Sequence, residues 1–180
     1  MKKKLNFALV GCSGFIAKKH VMAIKELNHN LKIVLDKSDS AGYLDNYFPD
    51  CIFFKNQNSF YKSLKKFEID FVVLCVPNYL HFKFIELSLK NKCNVICEKP
   101  TVIKLFDLKK IKILEKKYNK KCYSILQLRY DKELITLQKK LKKSKKKFVG
   151  KLIYITSRGD WYEKSWKGKE SRRIIIHAPS

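Results

Sequence analysis

The sequence predicts an α/β fold, a parallel sheet covered by helices on both faces. Three observations predict it. Short apolar runs alternate with stretches of helical spacing over residues 5–128, the order expected of strand–crossover–strand units. Three of these runs open directly onto turns of unusual chemistry: Leu9–Ala17, Cys75–His81 and Cys97–Pro100. A hydrophobic content of 46% over 180 residues suffices for one packed α/β core with a smaller remainder.

The elements follow in order. Leu5–Val10 reads as the first strand, followed by a helix over residues 15–27. Leu31–Leu35 is the second strand and ends at Asp36. Residues 37–50 are polar and carry Gly42 and Pro49, which predicts a loop. Cys51–Phe54 is a short third strand and Ser59–Phe67 a short helix. Ile69–Val76 is strongly apolar and is closed by Pro77. Beyond it, Leu80, Phe84 and Leu87 recur at helical spacing, with Lys83, Glu86 and Lys90 on a wetter face and Asn78 as the predicted cap. Asn94–Cys97 is a strand. In the helix over residues 104–118, Leu105, Leu108, Ile111 and Leu114 form one stripe, and Cys122–Leu128 resumes strand character. A very basic helix over residues 131–147 and an alternating strand over residues 149–157 change the style. We therefore expect a first domain over residues 1–126 and the start of an α+β domain over residues 127–180.

Charge and cysteine usage exclude several classes. Lysine and arginine total 40 against 16 acidic residues, for a formal net charge of +24. Such a surface attracts phosphate without sequence preference. The lysines, however, are spread over nearly every helix and no aromatic-interleaved motif accompanies them, so we read them as a solvated surface rather than a nucleic-acid interface. The six cysteines include no CxxC pair, which speaks against a zinc ribbon or dithiol redox site, and no metal site is expected. They read as free thiols of a reducing, cytoplasmic compartment. No apolar segment approaches the length that crosses a bilayer.

The turn chemistry points to a dinucleotide. A glycine turn between strand and helix lets backbone N–H groups and the helix N-terminus face a pyrophosphate. Gly11 would permit the turn, Gly14 the close approach, and Ala17 the packing of helix on sheet. Asp36, at the end of the second strand, is placed to accept bonds from the adenosine ribose and to disfavour the phosphate of NADP. Ser13 before Gly14 makes the turn one residue longer than G-x-G-x-x-G. Asn78 and His81 would sit beside the nicotinamide ribose or substrate. Lys99, straight after a buried strand and fixed by Pro100, could pass on the proton of a substrate hydroxyl during oxidation.

These residues carry a resemblance. Gly14-x-Ile16-Ala17-x-x-His20 matches the nucleotide loop of the glucose-fructose oxidoreductase/inositol dehydrogenase (Gfo/Idh/MocA) superfamily. Asp36-Lys37-Ser38-Asp39-Ser40, Tyr47–Asp50, Ser124–Arg129, Arg158–Tyr162 and Ser165–Gly168 resemble its bacterial UDP-N-acetylglucosamine and UDP-N-acetylglucosaminuronate 3-dehydrogenases. The similarity covers residues 5–170 and implies a Rossmann-type sheet and NAD as cofactor. The activity implied is oxidation of a sugar 3-hydroxyl in surface-polysaccharide synthesis.

It also implies site residues. Gly11, Gly14, Phe15, Ile16, Ala17, Asp36, Cys75, Pro77, Asn78, His81, Glu98 and Gln127 would surround the cofactor. Lys99 would be the catalytic lysine and touch substrate, with Arg129, Arg158, Tyr162 and Trp166 on the substrate side. Residues 171–180 do not continue the superfamily's pattern, and His177 is assigned no role. The sequence is therefore read as a C-terminally truncated member, weak or inactive, with its homo-oligomer interface lost. Two alternatives stand beside it: a non-catalytic dinucleotide-binding or protein-interaction module, and a basic nucleic-acid-binding domain.

Overall fold

The computed structural model describes residues 3–38, 42–144, 147, 149, 151 and 153. Six strands carry the fold: β1 (Asn6–Val10), β2 (Asn30–Leu35), β3 (Ile52–Phe54), β4 (Phe71–Leu74), β5 (Asn94–Cys97) and β6 (Cys122–Ser124). Between and after them lie α1 (Ala17–Glu26), α2 (Tyr43–Tyr47), α3 (Gln57–Lys66), α4 (His81–Lys90), α5 (Leu105–Tyr118) and α6 (Lys132–Lys143). The strands form one sheet in the order β3-β2-β1-β4-β5-β6, and every neighbouring pair is parallel. The chain divides into two units between Ile135 and Thr136, and the whole sheet with α1–α5 belongs to the first.

Both faces of the sheet are buried, as the apolar runs predict. Ala8, Val10, Val72, Leu74 and Val95 face Phe60 and Leu64 of α3, Phe84, Ile85 and Leu89 of α4, and Ile111 of α5. On the other face, Phe7, Leu9 and Val73 meet Ala17, Val21 and Ile24 of α1 and Leu44 of α2. Phe60 is fully buried, a burial worth about 2–3 kcal/mol by transfer of its apolar surface. One irregularity shows in β2, where the partners of Phe7 and Ala8 are Leu31 and Ile33. Lys32 is passed over and stays exposed, so a one-residue bulge keeps a charge out of a two-sided core.

The structure departs from the sequence reading in four places. The predicted loop over residues 37–50 contains α2, a five-residue helix with no side-chain cap bond. A helix so short is marginal by itself; buried Leu44 and a 2.6 Å bond from the Tyr43 hydroxyl to the Cys12 carbonyl dock it. The third helix starts earlier than expected, at Gln57, because Asn56 caps it through the Ser59 N–H. Asn78 does not cap α4: residues Asn78–Leu80 form a 3₁₀ turn, and α4 begins at His81 without a side-chain cap bond. Finally, β6 stops at Ser124, because its neighbour β5 ends at Cys97 and leaves no ladder to pair with. Residues Gln127–Tyr130 turn as a 3₁₀ helix instead.

In α5 the stripe is half realised. Ile111 is buried and Leu114 packs against the core, whereas Leu105 at the helix start is 71% exposed. On α4 the wet face carries the expected charges, with Lys90 and Glu86 paired at 2.9 Å. The basic helix is present as α6, capped by Asp131, whose carboxylate accepts the Leu134 N–H at 2.9 Å. The predicted strand over residues 149–157 lies largely outside the described residues.

Candidate functional site at the carboxyl edge of the sheet

Strand order reverses between β1 and β4, the neighbours whose connections run to opposite sides of the sheet. In open parallel sheets the crevice beyond such a switch point is where ligands bind. The exits of β1, β2, β4, β5 and β6 carry most of the predicted site residues.

The β1 exit is shaped by backbone crowding. Gly11 has φ +88°, and a Cβ there would lie 2.8 Å from the carbonyl carbon and oxygen of Cys75. A Cβ on Gly14 would come within 3.0 Å of the Cys75 oxygen and 3.2 Å of the Gly11 oxygen. Gly11 is thus demanded by the β4 exit passing beside it, and Gly14 is held in tight contact with the same backbone, in addition to any approach by a ligand. The turn is closed by the Gly14 N–H to the Gly11 carbonyl at 3.2 Å and the Ala17 N–H to the Gly14 carbonyl at 3.0 Å. Ala17 is fully buried against the sheet, while Phe15 stands 80% exposed at the tip. Ile16, half-buried, precedes the first turn of α1.

Asp36 sits at the β2 exit, where its N–H bonds the Phe54 carbonyl at 3.1 Å. Its carboxylate faces the glycine turn. Oδ2 accepts the Ser13 N–H at 2.8 Å and the Ser13 hydroxyl at 2.7 Å, and Oδ1 accepts the Ser38 N–H at 3.1 Å. Beneath the turn, burial first and the Asp36 charge second push the Cys12 thiol up to about 12. Burial likewise drives the Cys75 thiol far up, with Glu98 and Cys12 adding. Neutral, buried thiols are poor nucleophiles, and all six cysteines are free.

At the β4 exit, Pro77 and Asn78 are half-buried. His81 is fully buried. Its Nδ1 lies 2.7 Å from the Pro100 carbonyl and its Nε2 2.9 Å from the Val76 carbonyl. The sequence reading put His81 in the lining of the cofactor cleft. In the structure both ring nitrogens face backbone carbonyls of the β4 and β5 exits, so the ring ties those two loops together.

The β5 exit carries Glu98, Lys99 and Pro100, and the Lys99–Pro100 peptide bond is cis. Glu98 Oε1 is 2.8 Å from His20 Nε2 on α1, and its Oε2 accepts the Lys99 N–H at 3.4 Å. Burial raises the Glu98 carboxyl, but the hydrogen bond and charge of His20, with help from Lys99, bring it below the ordinary 4.5. Lys99 itself is exposed at the edge. One strand further on, Gln127 and Arg129 lie exposed on the 3₁₀ turn that follows β6. Thr101 and Ser124 join the two exits through a 2.6 Å hydroxyl bond. Arg158, Tyr162 and Trp166 lie outside the described residues.

Gly11, Gly14, Phe15, Ile16, Ala17 and Asp36 therefore share one end of this edge, with Cys75 in contact beneath. Lys99, Gln127 and Arg129 share the other, and Glu98 spans them. Three contributors escaped the role-by-role reading: Ser13 on Asp36, Tyr43 on the Cys12 carbonyl, and His20 on Glu98. His20 had a local signal, since it lies three residues after Ala17 on the same helix face. Among the described residues, no group of three or more His, Cys, Asp or Glu could hold a metal ion, and no helix is long and apolar enough to cross a membrane.

Comparison with known proteins agrees with this geometry. Residues 5–125 match a family described as an oxidoreductase family with an NAD-binding Rossmann fold. The WlbA (WbpB) dehydrogenase of Thermus thermophilus, solved in complex with NAD and UDP-GlcNAcA, is 34% identical with a TM-score of 0.84; the match covers 93% of this chain and 56% of that one. The WlbA dehydrogenase of Chromobacterium violaceum, solved with NADH and UDP-GlcNAcA, is 23% identical (TM-score 0.70; 79% of this chain, 41% of that one). Myo-inositol 2-dehydrogenase of Lactobacillus plantarum is 18% identical (TM-score 0.69; 78% and 41%). At these two lower identities the likeness speaks for the fold alone. The chain spans little more than half the length of the Thermus enzyme.

Proposed function

Because the chain belongs to this oxidoreductase family with its NAD-binding Rossmann fold, we propose that it binds NAD in the β1/β4 crevice. We assign it the NAD-dependent oxidation of the 3-hydroxyl of a UDP-N-acetylhexosamine or its uronic acid, in surface-polysaccharide synthesis. The observation that carries the reading is the meeting, on one sheet edge, of a glycine cradle, a carboxylate turned to that cradle and an exposed lysine. The 34% identity to a dehydrogenase solved with NAD and UDP-GlcNAcA supports the choice of substrate.

The residues fit a dinucleotide. Two glycines pressed to the Cys75 backbone leave the turn without side chains at its closest points. The N-terminus of α1 follows at once and favours negative charge. Asp36 keeps an acceptor position for a ribose hydroxyl and repels a 2′-phosphate. NAD, when bound, supplies the hydride acceptor. Lys99 Nζ orients the sugar 3-hydroxyl and relays its proton, while Glu98, locked to His20, fixes the backbone from which Lys99 projects. Gln127 and Arg129 extend the edge toward substrate; by the sequence resemblance Arg158, Tyr162 and Trp166 are assigned substrate-side roles and residues 127–180 to the substrate domain. The lysine excess is assigned to a solvated surface, and the six free thiols suit a cytoplasmic setting.

Calorimetric titration of the 180-residue chain with NAD and NADP tests the cofactor assignment. NAD is expected to bind more tightly than NADP, and Asp36→Ala to weaken NAD by roughly 10-fold or more. Equal affinity of wild type and Asp36→Ala would sink the assignment. Reduction of NAD by UDP-N-acetylglucosaminuronate, followed by absorbance and lost in Lys99→Ala, is the test of the reaction.

A further inference from the structure

We infer that Ser13, the extra residue of the glycine turn, is a specificity-determining residue that recognises the cofactor's adenosine ribose jointly with Asp36. The inference rests on the NAD reading above. Asp36 Oδ2 has two acceptor positions, and both are taken by Ser13, through its N–H at 2.8 Å and its hydroxyl at 2.7 Å. Oδ1 accepts the Ser38 N–H at 3.1 Å, and the Cys12 thiol also bonds the carboxylate, so at most one position is left. Asp36 alone can then accept no more than one further hydroxyl, while a ribose presents two on adjacent carbons.

Ser13 supplies the second acceptor. Its only hydroxyl proton is committed to Asp36, so Oγ offers lone pairs and no donor. Ser13 is exposed and its φ is not in the left-handed region, so the side chain is held by the carboxylate rather than by burial or backbone strain. The Asp36 Oδ1 and Ser13 Oγ atoms thus form a pair of acceptors without an accompanying donor. A vicinal diol satisfies both. With a 2′-phosphate only the 3′-hydroxyl remains as a donor, so one acceptor goes unmet, and the phosphate meets the carboxylate's negative charge. Discrimination against NADP is therefore shared between the two residues, with Ser13 also holding the carboxylate in place.

The test compares Ser13→Thr with Ser13→Val, which differ only by hydroxyl against methyl at an exposed position. Dissociation constants for NAD and NADP are measured by calorimetry on the 180-residue chain, with thermal melts to confirm folding. Ser13→Thr is expected to keep the wild-type NAD/NADP ratio. Ser13→Val should weaken NAD by roughly 3- to 10-fold and leave NADP nearly unchanged. In the Asp36→Ala background, the Ser13→Val change should have little further effect, since the two residues act as one unit. Equal weakening of NAD and NADP in Ser13→Val, or no weakening of either, would overturn the role of Ser13 while leaving NAD binding intact. Failure of the wild-type chain to bind NAD would overturn both readings. If Ser13→Val does not fold, Ser13→Ala takes its place in the same comparison.

Discussion

The two ends of the carboxyl edge are built on different principles. At the β1/β2 end, backbone meets backbone: Gly11 and Gly14 press on Cys75, and Asp36 is held by three donors from Ser13 and Ser38. At the β5/β6 end, Lys99, Gln127 and Arg129 are exposed side chains beside Leu128 and Tyr130, 68% and 84% exposed. The first end is a rigid receptacle whose shape is inseparable from the stability of the fold. The second is a set of side chains whose chemistry can change without disturbing the sheet. His81 and Glu98 belong to neither end. They tie the β5 exit back to the β4 exit and to α1.

Substitutions can break this contrast, and the largest expected effect is on the rigid side. Gly11→Ala places a Cβ 2.8 Å from backbone atoms at φ +88°, two defects that neither neighbour can relieve. A loss of about 3 kcal/mol or more is expected from urea unfolding. A loss below 1 kcal/mol would show that the two strand exits separate easily. Next come the ties. His81→Phe leaves the Val76 and Pro100 carbonyls without the imidazole that faces them and should cost about 2–4 kcal/mol, read by the same method.

The Glu98 tie has a pH signature. Its folded-state value lies below the ordinary 4.5, so its contribution to stability is fully present above that pH and is lost as pH falls through the lower, folded value. Urea midpoints of wild type and Glu98→Gln should therefore converge as pH drops below 4.5. A gap independent of pH would mean that the carboxylate's charge is not what joins α1 to the β5 exit. The smallest stability effect is expected at the exposed end. Lys99→Ala should change stability by no more than about 0.5 kcal/mol while removing whatever NAD reduction by the UDP-sugar the chain supports. A large destabilisation would erase the distinction between the two ends.

Much of this was legible from residues alone because it follows from periodicity and local chemistry. Apolar runs buried on both faces, separated by helical spacing, admit few arrangements besides a parallel sheet, and turn residues at strand exits necessarily share an edge. What escaped depended on partners distant in sequence. α2 exists because Tyr43 reaches Cys12, a contact no propensity encodes. β6 is short because β5 ends, and a strand's length is set by its neighbour as much as by its own residues.

For the site, the sequence by itself determined which residue types stand at each strand exit, since those follow directly from the order of the chain. Only the tertiary structure decided what each one does there. It paired His81 with the Val76 and Pro100 carbonyls, joined His20 to Glu98 across the α1–β5 gap, and committed the Ser13 hydroxyl to Asp36. The physical reason is that a polar side chain's role is set by its hydrogen-bond partner and its burial. Both are properties of packing between segments, and neither is written in the spacing of one.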